Sequence, residues 1–182
     1  SGLGIVAVVI LWTVGMYNRV VTLDTGVSQA WGQVENVLQR RMDLIPNLVS
    51  VVKAYAKHER EVFTKVAEAR QAYAGARTVS EKAQAASQVE GLVGRLLAIA
   101  ENYPALRASE NFSRLQDELA GTENRIAVER MRYNGAVGDY NATIRRFPTV
   151  FIARLFGFSA KTFFEAAPNA KTVPDVGAQL GK

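Results

Sequence analysis

The sequence predicts an all-α fold: one N-terminal transmembrane helix followed by an antiparallel bundle of about four helices, the first of them long and kinked at Pro46. Three observations carry this reading. Residues 1–18 contain no charged side chain. From Val27 to Phe147 the apolar residues recur in steps of three and four, the spacing of a helix face packed on its neighbours. No stretch alternates apolar and polar residues as a half-buried strand would. Helices with one apolar stripe each bury it against one another, and a bundle follows.

The first element is the apolar run. A bilayer core takes about 20 apolar residues in helix, within roughly 17 to 25, so residues 1–18 are at the short end. Leu3, Ile5, Val6, Val8, Val9, Ile10, Leu11, Trp12 and Val14 would face lipid. Trp12 and Tyr17 suit an interface, and Arg19 closes the span. A cleaved signal peptide is the alternative, but no small-x-small cleavage pattern follows; Gly15-Met16-Tyr17 is not one. Arg19 is the only charge before Asp24 and Glu35, so the positive-inside rule assigns no side to the bundle.

Residues 19–165 make the bundle. Its first seam runs Val27, Trp31, Val34, Leu38, Arg41, Ile45, Leu48, Val52 and Tyr55, then Glu59, Val62, Val66, Ala69 and Tyr73. As one helix, residues 20–77 would measure about 87 Å at about 1.5 Å per residue, so it must bend, turn or project past its neighbours. The seam crosses Pro46 in register, which favours a kinked continuous helix over a turn. Proline there removes the bond to the Met42 carbonyl, and Asp43 and Asn47 are placed to satisfy freed groups. The functional alternative to a packing kink is a joint or docking notch made by Arg40, Arg41, Asp43, Pro46 and Asn47.

The helix gives way near Gly75, and Ser80 is a candidate N-cap for a second helix to about Asn102, with its seam on Ala83, Ala86, Val89, Val93, Leu96 and Ala100. Tyr103-Pro104 interrupts, because a residue before proline avoids the helical region. A third helix, about 105–146, has its seam on Phe112, Leu115, Leu119, Thr122, Ile126, Glu129, Tyr133, Val137, Tyr140, Ile144 and Phe147. Gly135 and Gly138 lie inside it, each costing about 1 kcal/mol against alanine; they mark close packing or local tolerance. After Phe147-Pro148, the run VFIARLFGF reads as a short fourth helix docked on the bundle. Its sharper readings are a membrane-surface patch or a subunit contact, with Phe147, Phe151, Ile152, Leu155, Phe156 and Phe158 as candidate assembly contacts. Residues 166–182 have the composition of a flexible tail.

The chemistry is thin. A chain of 182 residues, 48% hydrophobic and 21% charged, is enough for one folded domain with a core, or a small bundle plus an appendage, and has the composition of a folded protein and not a disordered one. No cysteine is present, which excludes disulfides, thiolate metal sites and cysteine nucleophiles. The net charge of +5 comes from arginines interspersed with acids, as in Glu123 to Arg130; this reads as solvated helix faces and not as a nucleic-acid surface. The single histidine, His58, is followed by Glu59, but Val62 stands where a zinc-protease motif needs its second histidine. Tyr55 stands where a di-iron bundle would place glutamate. There is no nucleophile elbow and no phosphate loop, since Gly91 and Gly94 lie within a helix. The expectation is no enzyme, no metal and no cofactor, with His58 a surface or inter-helix polar residue. Arg41, Glu59 and Glu129 sit in apolar seams and should each find an opposite charge or an opening to solvent.

Several stretches together resemble the LemA family: YNRVVTL (17–23), AWGQVENVLQRRMDLIPNLVSVVKAYAKHE (30–59), AENYP (100–104), LQDELAGTENRIAVERMRYNGAVGDYN (115–141), and FP followed by GF and FE (147–165). The resemblance covers essentially the whole chain, and RR-x-DLIPNLV with TEN-x-IA and two YN pairs is a specific combination. It implies a bacterial helical bundle held by an N-terminal anchor, with no catalytic residue to carry over. Magnetosome membrane proteins share the family name, and neighbouring membrane metalloproteases suggest a part in envelope homeostasis. Gly135 and Gly138 stand where better helix formers would be expected. The expected function is therefore a non-enzymatic, single-pass protein of the bacterial cell membrane that self-associates into an assembly organising the envelope. The alternative is an adaptor for a membrane partner such as a protease or envelope protein. The expected partners are the lipid bilayer and further copies of the chain, with no nucleic acid.

Overall fold

A computed structural model describes residues 2–165, and it is all-α: among the described residues there is no strand. The elements are α1 (Gly2–Tyr55), α2 (Arg60–Gly75), α3 (Val79–Glu101), α4 (Pro104–Arg107), α5 (Glu110–Arg145) and α6 (Thr149–Leu155). The apolar N-terminal run and the first bundle helix are one helix, because nothing between Gly2 and Tyr55 interrupts the backbone pattern. Pro46 lies inside α1, so the chain does not turn there. The turn comes later, at 56–59, where the Glu59 amide donates to the Ala56 carbonyl. This corrects the single seam expected through Tyr73. No glycine or proline marks 56–59, and the three-and-four rhythm continues across it, so local sequence cannot locate the break. The 23-residue α3 gives α2 its own apolar partner, and that packing decides where α1 stops.

Two compact units divide the chain. The first joins Ser1–Pro46 to Arg114–Phe163. Its core is the α1–α5 seam, with Val34, Leu38 and Ile45 facing inward from α1 and Ile126, Tyr133, Val137 and Tyr140 from α5. The two helices run antiparallel in a fixed register. Arg41 pairs with Glu123. Ten residues back along α1 and ten forward along α5, Trp31 meets Tyr133 with ring centroids 5.2 Å apart. Seven more on each reach Asp24 and Tyr140, which share Lys161. Every predicted seam residue of the third helix is buried except Glu129 and Phe147.

The second unit contains Asn47–Ser113. Val66, Ala69 and Tyr73 of α2 and Val89, Val93 and Leu96 of α3 are buried, and Lys82 lies over the Tyr73 ring at 5.9 Å. Thr78, not Ser80, caps α3. Its hydroxyl accepts from the Glu81 amide at 3.2 Å, and the Glu81 carboxylate accepts from the Thr78 and Arg77 amides. This reciprocal box satisfies donors that the first turn leaves open, and it holds the Glu81 carboxyl below its ordinary value. Pro104 begins the separate four-residue turn α4, so the third long helix starts at Glu110 and not at Ala105. A Cβ added at Gly135 or Gly138 would meet nothing within 4 Å, so neither glycine is there for close packing within the chain. The expected tail, 166–182, lies outside the described residues.

Candidate functional site

The N-terminal part of α1 stands out by what it fails to bury. Leu3, Ile5, Val6, Val8, Val9, Ile10, Leu11, Trp12 and Val14 are all exposed, Leu3 to 90% and Leu11 to 72%. The helix is long and apolar enough there to cross a membrane. Its one hydroxyl in mid-span, Thr13, donates back to the Val9 carbonyl at 2.8 Å, so that hydroxyl is satisfied within the helix.

The register of the first unit decides what lies beside the end of this span. Seven residues beyond the Asp24–Tyr140 level come Tyr17 on α1 and Phe147 just past α5. There α6 attaches to α1: the Thr149 hydroxyl lies 3.3 Å from the Met16 sulfur, and the Tyr17 ring meets Phe156 at 4.8 Å and Phe158 at 5.7 Å. Gly157 makes the last contact possible. It takes φ +74°, a conformation that side chains resist, and the Phe158 amide closes α6 by donating to Ala153 while Gly157 donates to Arg154. The chain then reverses, and 159–163 straps along α5. The Asn141 side chain clamps it with both ends of its amide, accepting from the Lys161 amide at 2.8 Å and donating to the Lys161 carbonyl at 2.9 Å. The Tyr133 hydroxyl donates to Thr162 O at 2.8 Å, and Lys161 reaches Asp24 at 2.8 Å. That hydrogen bond, against some cost of burial, holds the Lys161 ammonium above its ordinary value. Burial raises the Tyr133 and Tyr140 hydroxyls as well.

This arrangement sorts the candidate assembly contacts. Phe147 (81% exposed), Phe151, Leu155 (76%) and Phe156 face out, whereas Ile152 is buried and Phe158 is half-buried. α6 therefore docks through Thr149, Ile152 and Ala153 and leaves its other face open. Arg19, Arg145, Arg146 and Arg154 are exposed around the same level. Arg145 and Arg146 precede the apolar run in the sequence itself and Arg154 lies within it; sequence reasoning missed that Arg19 joins them, and it missed the Asn141 clamp, since both join residues far apart in the chain.

The residues around Pro46 divide as well. Arg41 is buried and ion-paired with Glu123. Arg40, Asp43 and Asn47 point outward at helical spacing, and Asp43 accepts from the Gln39 side chain at 2.9 Å. Of the other seam charges, Glu129 pairs with Arg132 at 2.9 Å, while Glu59 lies in the turn before α2. His58 is exposed in that turn. Among the described residues no group of His, Asp and Glu could hold a metal ion. An open cleft of ≈ 520 Å³ between α2 and α3 is lined by Lys65, Glu68, Ala69, Ser87, Gln88 and Arg95, among others.

Comparison with known proteins accords with this architecture. The model of the LemA family matches residues 30–177. Magnetosome proteins MamQ 1 and MamQ 2 of Paramagnetospirillum magneticum are each 27% identical over 190 residues, covering 90% of this chain and 70% of theirs. Magnetosome protein MamQ of Magnetospirillum gryphiswaldense is 24% identical over 182 residues, covering 86% of this chain and 67% of its own.

Proposed function

The chain belongs to the LemA family, and on that premise we propose that it is a non-enzymatic, single-pass membrane protein whose copies associate side by side into an assembly that organises the bacterial envelope. Membrane association rests on the exposed apolar length of α1. One observation carries self-association: the outer face of α5. Gly121, Asn124, Val128, Met131 and Gly135 recur there in steps of three and four, all exposed and all uncharged, with Met131 at 69%. A solvated helix face is normally rich in charge. This one has the small and apolar residues that let a neighbouring helix approach. Thr22, Thr25, Gln29, Gly32 and Asn36 form a second uncharged row on α1, so a face of one copy could meet a different face of the next, the geometry that builds rings and filaments. Anchoring confines copies to two dimensions, where weak contacts suffice.

The test is the mass of the full-length protein in mild detergent. A defined particle of many copies is expected, and Met131→Glu should shrink it without loss of helicity. A monomer, or a particle indifferent to Met131→Glu, would refute the reading.

A further inference from the structure

We propose that residues 145–158 are a second membrane contact, a foot that lies in the headgroup layer of an anionic bilayer beside the point where α1 leaves it. The inference rests on the anchor reading of α1 and extends it to a segment about 130 residues away in sequence.

Position comes first. The uncharged run of α1 ends at Asn18, and Tyr17 touches Phe156 and Phe158. Met16 touches Thr149. If α1 spans the bilayer, these contacts hold α6 at the depth of the interface, continuous with the exposed apolar surface of the span. Composition comes second. α6 spends Thr149, Ile152 and Ala153 on the bundle and leaves Phe151 and Leu155 exposed, with Phe147 exposed just before it and Phe156, half covered by Tyr17, just after it. Phe147 and Phe151 stack edge to face at 5.9 Å, forming one apolar ridge. Charge comes third. Arg145, Arg146 and Arg154 are exposed on the same short segment, Arg19 is exposed at the same level of α1, and 142–164 holds no acidic residue at all. Aromatic and aliphatic side chains flanked by arginines fit a surface that is apolar below and phosphate-bearing above. A second copy of the chain would have to bring acids to meet the arginines.

The chain has no cysteine, so single cysteines report cleanly. Full-length Phe151→Cys and Leu155→Cys variants, both at exposed positions, would be labelled with an environment-sensitive fluorophore and reconstituted into vesicles. Leu11→Cys reports the anchor, and Gln116→Cys, exposed on α5 away from the row proposed to join copies, reports water. The vesicles are phosphatidylcholine with or without phosphatidylglycerol, doped with lipids carrying a nitroxide at headgroup or at acyl depth. The expected result is quenching of both foot labels by the headgroup nitroxide, at least about threefold that at Gln116, stronger with phosphatidylglycerol. Arg145→Gln with Arg146→Gln and Arg154→Gln should abolish the phosphatidylglycerol increment. Quenched Leu11 with foot labels like Gln116 overturns the foot and leaves the anchor standing. Unquenched Leu11 overturns the anchor reading and the foot with it. Foot labels shielded from water but not quenched, increasingly so at high protein-to-lipid ratio, assign the ridge to a second copy and overturn the proposal. Equal quenching in both lipids overturns the requirement for anionic headgroups.

Discussion

Removing Glu123 should cost the fold more than removing its partner Arg41. Arg41 sits in the α1 seam at 7% exposure, between Leu38 and Ile45, whereas the Glu123 side chain keeps 44% of its surface in water. At an effective dielectric of about 20, two unit charges roughly 4 Å apart attract by about 4 kcal/mol. Water on the glutamate side screens that to about 1–2 kcal/mol. Glu123→Ala loses this attraction and leaves a guanidinium buried without its counter-charge, so the expected cost is about 2–3 kcal/mol. Arg41→Met instead removes the buried charge, fills similar volume with an apolar chain, and lets Glu123 hydrate; the expected change is within about 1 kcal/mol. The double variant should match Arg41→Met. For a chain of this size each kcal/mol moves the melting point by about 2–4 °C, so Glu123→Ala should fall by roughly 4 to 12 °C. Circular dichroism melts in detergent, run as a double-mutant cycle, read all three. If Arg41→Met proves as damaging as Glu123→Ala, the asymmetry argued from burial is wrong.

Four further outcomes are expected. Pro46→Ala should stabilise α1 by about 1–3 kcal/mol, since proline inside a helix breaks one bond and crowds a carbonyl; slower amide exchange around Asn47 checks it, and faster exchange would show that the ring is needed for packing. Gly157→Ala should cost about 1 kcal/mol or more through its positive φ and increase the exposure of Phe158, measured by melting and by near-ultraviolet dichroism. Tyr133, Tyr140 and Lys161 all hold their protons more tightly in the fold than in the unfolded chain. The stability they bring is therefore whole below their ordinary values of 10.0 and 10.5 and is lost as pH rises through the folded ones; a melting point that stays flat from pH 9 to 12 would contradict this. Gly135→Ala should raise the stability of the dispersed chain by about 0.5–1 kcal/mol, because the added methyl meets nothing; if it also reduces particle mass, the α5 row is the contact between copies.

Much of the architecture was legible in the sequence because helical periodicity is a local signal. The α5 seam from Phe112 to Ile144 reads off the sequence almost residue by residue, and so do the end of α3 before Pro104 and the exposed apolar run. Glu81 at the third position of α3 identified Thr78 as the cap, had the capping box been weighed above the single serine. The turn at 56–59 was not legible. Ala56 is buried, and Lys57, His58 and Glu59 are ordinary helix residues; what stops α1 is the better burial α2 finds on α3.

The sequence by itself determined the helices and the apolar run at the start of α1, since each depends on residues a few positions apart. Tertiary structure alone decided which distant residues share a level. The antiparallel register brings Phe156 and Phe158 to Tyr17 and lets the Asn141 clamp fold the strap back onto α5. It also turns Ile152 inward while Phe151 and Leu155 remain outside. A periodic pattern says which face of a helix is buried; only packing says against what, and at what height.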